Sequence, residues 1–598
     1  MMKVSDLVFE LIAAATPTRQ VFMLPGGGCM HLVDSLGRDK RFSYVCNLHE
    51  QASAIGAEAY AQHTGELGLA LVTTGPGATN AITGVAGAWI DSTPILVLSG
   101  QAKTTDLIGS SGVRQMGIQE VDIVPMVKPV VKYAARVCKP EDVKFEVQKA
   151  IYMATHGRKG PVWLDMPLDV QGASVDEKAL RSFEPPAVKD DSAKIRKAAQ
   201  KTLKLIEASK RPAILVGNGV RQAGALEDFL RLARRLGAPV LTSWKSADFL
   251  AEDDPLFAGR PGIVAQRGAN LVQQTADLLL ILGTRLDLCQ TGFNHKHFAP
   301  QAKRVMVDID GSEIKKLEMD FEVKLAADAG AFLRSLLEAT EGKSFDFAPW
   351  LARCKAWQAK YPVVLPEYLA GNGPVNTYAL MESLSEILGP DAVIVPGSSG
   401  TCAEITLQAF KVKKGQRLQN TPGLGSMGFG LPASIGACLA SGRKPTVSVI
   451  GDGGLQHNIQ ELETLKRLNL PVKIFILNND GYGSIRNMQK GRFEGNFVAC
   501  DPASGLTVPD TCKVAGAYGI KNCRIESQAG LKEQVLKVLR LEGPVICDVM
   551  ISPDVQTAPR LSSKVLPNGQ MESLPMEDLW PFLDRAELES ALSVGKSL

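Results

Sequence analysis

The stretch GDGGLQHNIQELETLKRLNLPVKIFILNN, Gly451 to Asn479, constrains this chain more than any other. An apolar run, Val447 to Ile450, ends in Gly451-Asp452-Gly453, and a second, Val472 to Leu477, ends in Asn478-Asn479. Between them Leu462, Leu465 and Leu468 recur at helical spacing. Strand, helix, strand is the parallel crossover unit. It leaves both strand ends on one sheet edge, where open α/β sheets bind ligands. Asp452 and Asn479 are therefore expected side by side, each offering a hard oxygen. Gly453 and Gly454 let backbone N–H groups approach phosphate. A carboxylate, an amide oxygen and a phosphate-bearing ligand together suit Mg²⁺.

The same alternation runs through the chain. Its 598 residues predict about three domains, and 45% hydrophobic content allows large cores. Expected strands in a first domain, 1–172, are Val21–Leu24, Tyr44–Leu48, Leu69–Val72, Ile95–Leu98 and Val162–Met166. In a middle domain, 190–340, they are Ala213–Val216, Val240–Thr242, Leu278–Leu282 and Val305–Ile309. A third domain, 372–552, opens with a helix over Pro374–Leu388 and a strand over Ala392–Val395. The class is α/β, with three doubly wound parallel sheets. Glu184–Asp191 reads as a linker, and 341–371 as a second one with a helix carrying Trp350 and Trp357. Residues 553–598, polar and proline-punctuated, read as an arm or lid. Net charge is only +3, with no basic block and few aromatics, which argues against nucleic acid. Leu7–Ala15 reads as an amphipathic helix rather than a secretory signal, and no apolar run reaches spanning length. Eleven cysteines without a CxxC pair fit reduced core residues of a cytoplasmic protein.

Candidate chemistry gathers at strand ends. Glu50 lies where Tyr44–Leu48 runs into a helix; in isolation it is an acid complementing a helix N-terminus. Gly26-Gly27-Gly28 permits a tight loop and close approach of a planar ring. Thr74-Gly75-Pro76-Gly77-Ala78-Thr79-Asn80 opens another helix, with Thr79 or Asn80 as candidate cap. Ser398-Ser399-Gly400-Thr401 suits diphosphate oxygens. In the middle domain Gly217-Asn218-Gly219 is not a dinucleotide fingerprint, because Arg221, Gln222 and Ala223 precede the next glycine. Asp308, after a strand, can hold a ribose hydroxyl, and Arg285 can meet a phosphate.

Three motifs together resemble the acetolactate-synthase-like enzymes that bind thiamine diphosphate (ThDP): HEQxxxxxAxxYA from His49 with LVTTGPGATN from Leu71, GLGxMGxGLP from Gly423, and the GDG…NN pair. The likeness covers nearly the whole chain. It implies pyrimidine-binding, central Rossmann-like and diphosphate-binding domains in that order. It makes Glu50 the catalytic acid that hydrogen-bonds the cofactor's aminopyrimidine. Gly27, Gly28, Gln119 and Gln101 would border the reaction centre, with Thr74 against the pyrimidine. Gly400, Thr401, Gly425, Ser426, Gly453, Gly454, Tyr482 and Gly483 would hold ThDP, and Met427 would wedge between its rings. Asp452, Asn479 and the Gly481 carbonyl would bind Mg²⁺. A non-redox FAD would lie against Arg181, Gly217, Ser243, Gly259, Gly262, Gly283, Thr284, Arg285, Asp287, Asp308, Ile309 and Asp328.

The implied reaction decarboxylates a 2-oxo acid, pyruvate in the first instance, and joins the acyl unit to an aldehyde or ketone. The alternatives are a true acetolactate synthase, a non-carboligating 2-oxo acid decarboxylase or lyase, and an inactive scaffold. A homodimer or homotetramer is implied, with no membrane or nucleic-acid partner. Three departures bear on the reaction. The paired histidines of pyruvate decarboxylases are missing around Val113–Met116. Cys289 stands where acetolactate synthases carry an arginine that grips the acceptor carboxylate. Ser484-Ile485-Arg486-Asn487-Met488 replaces the herbicide-site tryptophan region. The tail resembles that of sugar-modifying ThDP proteins of surface-polysaccharide pathways.

Overall fold

The computed structural model describes residues 1–187 and 190–593; Val188 and Lys189, inside the expected linker, lie outside them. The first sheet contains β1 (Gln20–Met23), β2 (Ser43–Cys46), β3 (Gly68–Val72), β4 (Ile95–Gln101), β5 (Tyr133–Arg136) and β6 (Val162–Pro167). Its order is β2-β1-β3-β4-β6-β5, all parallel. The middle sheet contains β7 (Pro212–Val216), β8 (Val240–Thr242), β9 (Leu278–Leu282), β10 (Lys303–Asp308) and β11 (Val323–Ala326), in the order β8-β7-β9-β10-β11. The third contains β12 (Val393–Pro396), β13 (Arg417–Leu418), β14 (Thr446–Gly451), β15 (Val472–Asn478), β16 (Lys521–Ile525) and β17 (Val545–Met550). Its order, β13-β12-β14-β15-β17-β16, repeats the topology of the first sheet. In each sheet the order reverses between the first and third strands, which opens a crevice at the carboxyl ends.

The crossover from Asp452 is broken rather than continuous. A short helix, Asp452–Leu455, passes through a 3₁₀ turn into Glu461–Arg467. Register pairs Gly451 with Leu477, so Asp452 and Asn479 leave adjacent strands on one edge.

The first and third domains meet through helices Glu50–Thr64 and Gly430–Ala440. Small residues allow the close approach: a methyl on Gly436 would fall 2.3 Å from the Gly56 carbonyl oxygen. All three domains converge on Asp248. Its buried carboxylate accepts from Arg221 at 2.8 Å and from Arg417 at 2.9 Å, and Arg417 reaches the Gln62 and His63 carbonyls. Burial opposes ionisation, yet the two guanidiniums hold the Asp248 carboxyl below its ordinary value. A depressed carboxyl stabilises the fold above its unfolded pKa, near 4, and loses that contribution as pH falls through the folded value. Asp248→Asn is expected to cost about 3–5 kcal/mol at pH 7 in denaturant titration. The gap to wild type should narrow in acid.

The tail docks on its own chain. Leu579 and Met576 are buried. Asn270 and Arg267 of the middle domain donate to the carbonyls of Met576 and Leu579. Tyr378 of the third domain donates to the Ala558 carbonyl. The segment is therefore an arm held in cis, closed by helix Arg585–Leu592. No helix of the described residues is long and apolar enough to cross a membrane. The cysteines are free as expected, but Cys138 and Cys289 are exposed, not core residues.

Candidate active site

The pyrimidine side is assembled on the first sheet. Glu50 opens helix Glu50–Thr64 and is 6% exposed. Its Oε2 accepts from Asn80 Nδ2 at 3.0 Å. Neither Asn80 nor Thr79 caps the second helix, Pro76–Ile90, whose cap is Gly75; Asn80 instead fixes the carboxyl rotamer of Glu50. Gly28 lies so close to Thr74 that a methyl would meet its hydroxyl at 1.7 Å, while Gly27 faces open space. The Thr73 and Thr74 hydroxyls are buried without a partner. Gln119 is exposed and left-handed at φ +58, with its carbonyl against Gly75. Strain of this kind persists only where surroundings enforce it. Here Glu120 enforces it, accepting from the backbone of Ile108, Met116 and Gly117 at 2.6–3.0 Å. Those donors outweigh burial and hold its carboxyl below the ordinary range. Gln101 does not border this space; its amide is buried on Asp165 and the Val121 carbonyl.

The diphosphate side is assembled on the third sheet. Gly400, at φ +66, caps helix Thr401–Ala409, whose free N–H groups form an anion site. Ser398 donates to the Ser426 carbonyl, tying this turn to the Gly425-Ser426-Met427 loop. Asn458 donates to Gly428, seating that loop on the turn after Asp452. Asp452 accepts from Gly453 and Gly481 N–H at 2.8 and 3.0 Å. Gly453 leaves room for the Tyr482 ring, and Gly483 for the Asn479 amide nitrogen. That contact leaves Asn479 Oδ1 buried with no partner. Burial pushes the Asp452 carboxyl up to about 6, a cost that a bound cation offsets. Among the described residues no three His, Cys, Asp or Glu side chains cluster as a metal site. One carboxylate, one amide and a backbone carbonyl instead suit Mg²⁺ completed by phosphate. Among the described residues no hydrogen bond or ion pair joins the pyrimidine-side set to the diphosphate-side set.

A separate cleft with a cavity volume of about 190 Å³ lies where the three domains meet. Ser243, Gly262, Gly283, Thr284, Arg285 and Asp287 line it, as do Asp308, Ile309 and Asp328. Arg181 does not: its guanidinium covers the Phe145 ring at 3.9 Å. Gly217 and Gly259 lie behind the wall, Gly217 packed on Gly283 and Thr284. The lining also includes Asp91, Arg158, Lys245 and Cys289, none of which was expected to hold the flavin. Arg158 pairs with Asp310 and Glu313. Its signal was available: GRKGPV precedes β6 as a basic strand-entry turn. Cys289 sits at the rim, where partial burial and then Asp287 raise its thiol to about 11.

Three family models match in succession. The N-terminal TPP binding domain of thiamine pyrophosphate enzymes matches residues 2–126, their central domain 199–336, and their C-terminal TPP binding domain 398–549. A probable acetolactate synthase large subunit of Methanocaldococcus jannaschii is 33% identical over 92% of each chain. The acetolactate synthase large subunit of Corynebacterium glutamicum is 32% identical over 91% of this chain and 86% of its own. Chloroplastic acetolactate synthase 2 of Nicotiana tabacum is 32% identical over 94% and 84%.

Proposed function

The chain belongs to the acetolactate synthase-like family of thiamine diphosphate enzymes, and from that premise we propose that its carboligation favours a neutral carbonyl acceptor. The enzyme is a ThDP-dependent carboligase that decarboxylates pyruvate and transfers the acyl unit. Bound ThDP supplies the carbon nucleophile and the electron sink. Glu50, steadied by Asn80, holds a proton at the pyrimidine edge. Asp452, Asn479 and Gly481 hold Mg²⁺ against the diphosphate, with the N-terminus of helix Thr401–Ala409 as a second anion site. The flavin of this family fits the three-domain cleft, which offers Asp308 for a ribose and Arg285 for a phosphate.

The observation that carries the acceptor preference is the residue at 289: cysteine stands where the family resemblance puts the arginine that grips the acceptor carboxylate. A thiol near 11 is neutral at pH 7 and offers no charge-assisted bond to a carboxylate. Arg486, the alternative anchor, is partly engaged: it donates to the Asn479 carbonyl at 2.8 Å and lies 4.0 Å from Asp501, while its buried Nε has no partner. In a competition assay with pyruvate as donor, a neutral ketone or aldehyde should outcompete an equal amount of a 2-oxo acid. Cys289→Arg should shift product toward the acetohydroxy acid. Dominant acetolactate from wild type would instead make it an ordinary acetolactate synthase, the reading its relatives' names favour.

Assembly follows from the divided site. Val113, Met116 and Ile118 are exposed beside Gln119, and Ile485, Met488, Phe493 and Val498 beside the diphosphate loops. Apolar surface at both half-sites favours a homodimer in which each covers its complement from the partner. Sedimentation should give a dimer or larger; an active monomer contradicts this.

A further inference from the structure

At the inner end of the three-domain cleft, three side chains have unspent hydrogen-bonding capacity. Asp91 ends helix Pro76–Ile90, with a side chain 3% exposed. Its Oδ2 is buried and accepts no hydrogen bond. Lys245 Nζ lies 3.3 Å from that oxygen and donates to the Asn420 carbonyl at 2.7 Å, leaving further N–H groups. Arg285 flanks the other side: a methyl on Gly423 would lie 2.7 Å from Asp91 Oδ1 and 3.2 Å from Arg285 Nη2. Among the described residues Arg285 makes no side-chain hydrogen bond, and its one ion pair, to Asp287, is long at 3.5 Å.

The pattern is donor, acceptor, donor. The Lys245 ammonium pairs with this oxygen only as a long ion contact, so the carboxylate keeps acceptor capacity that a ligand N–H would fill. The complement is acceptor, donor, acceptor: a carbonyl, an imide N–H and a second carbonyl on one ring edge. Asp308 and Asp328 line the same cleft and suit a ribose. We infer that Asp91, flanked by Lys245 and Arg285, receives the cyclic-imide edge of a flavin whose adenosine lies toward Asp308. This rests on the flavin reading of the cleft and assigns the residues that select the ring. Uracil carries the same imide edge, so a uridine nucleotide is the rival source of that chemistry.

The test uses full-length protein stripped of flavin, with FAD, ADP and uridine diphosphate as calorimetric probes. Wild type should bind FAD and ADP. Asp91→Leu should weaken FAD about ten- to a hundredfold, the size of a hydrogen bond to a charged group, and leave ADP within twofold. It should also shift the visible absorption band of whatever FAD still binds. Lys245→Met should act in the same direction, with Lys245→Arg restoring affinity, and serves if Asp91→Leu fails to fold. Asp91→Leu and Lys245→Met both binding FAD like wild type would overturn the inference and leave the flavin reading intact. Wild type binding uridine diphosphate but not FAD would overturn the flavin assignment. Wild type binding neither FAD nor ADP would remove the flavin reading itself.

Discussion

Glu50→Gln should keep the fold and slow exchange of the cofactor's C2 proton about 10²- to 10⁴-fold, the range of a positioned acid–base group. The glutamine has the same shape and can still meet Asn80, so helix Glu50–Thr64 should remain in place. What it loses is the carboxyl proton. Exchange is read by NMR of the quenched cofactor, independently of any acceptor, so the outcome does not depend on identifying the product. Asn80→Ala is the graded companion. It removes the 3.0 Å bond that fixes the carboxyl rotamer but leaves the acid, so exchange should slow by less. Wild-type exchange in Glu50→Gln would exclude this glutamate from activation.

Much of this was legible because interior parallel strands are continuous apolar runs. Val240–Thr242 and Leu278–Leu282 form strands over the spans expected, and the other expected strands within three residues. The strands beyond expectation are mostly edges: Tyr133–Arg136, Val323–Ala326, Arg417–Leu418 and Lys521–Ile525. An edge strand is half-solvated and carries lysines and arginines, so its pattern is indistinct from loop. Val545–Met550 is interior, but Asp548 interrupts its apolar run and masks the strand pattern. The leucine spacing from Leu462 marks helix Glu461–Arg467, but not the separate short helix Asp452–Leu455 before it, where Asn458 holds the turn to Gly428.

Close packing was legible where motif glycines admit a neighbouring side chain, as at Gly28, Gly453 and Gly483. The site was not legible where function depends on partners far along the chain. Asn80 looked like a helix cap until the fold brought it to Glu50. Gln101 looked like a reaction-centre amide until β6 supplied Asp165 for it. Arg181 matched by approximate position alone, whereas Arg158, 23 residues earlier, lines the cleft together with Arg285.

Asp452→Asn should weaken Mg²⁺-dependent ThDP binding at least a hundredfold while leaving the metal-free protein as stable as wild type or more so. The two halves have one cause. Metal ligation needs the carboxylate charge; even outer-shell partners of metal ligands are worth 10–100-fold, and the proposed function makes Asp452 a direct ligand. Without metal the same charge is a burden, because burial raises this carboxyl from 3.8 to about 6. A carboxyl raised on folding stabilises at low pH and loses that contribution as pH rises through about 6. Two units correspond to on the order of 3 kcal/mol at pH 7, an upper figure because Gly453 and Gly481 still need an acceptor. Asparagine keeps one oxygen for those donors and carries no charge. In chelator, the variant's Tm should match or exceed wild type at pH 7.5, and the difference should shrink below about pH 6 and vanish below about pH 4, where the carboxyl is protonated folded and unfolded alike. With Mg²⁺ and ThDP the order should reverse, because only wild type gains binding energy. A variant that still binds ThDP with wild-type dependence on Mg²⁺ would move the metal away from Asp452. One that unfolds in chelator at pH 7.5 would show that the carboxylate serves the fold rather than the ion.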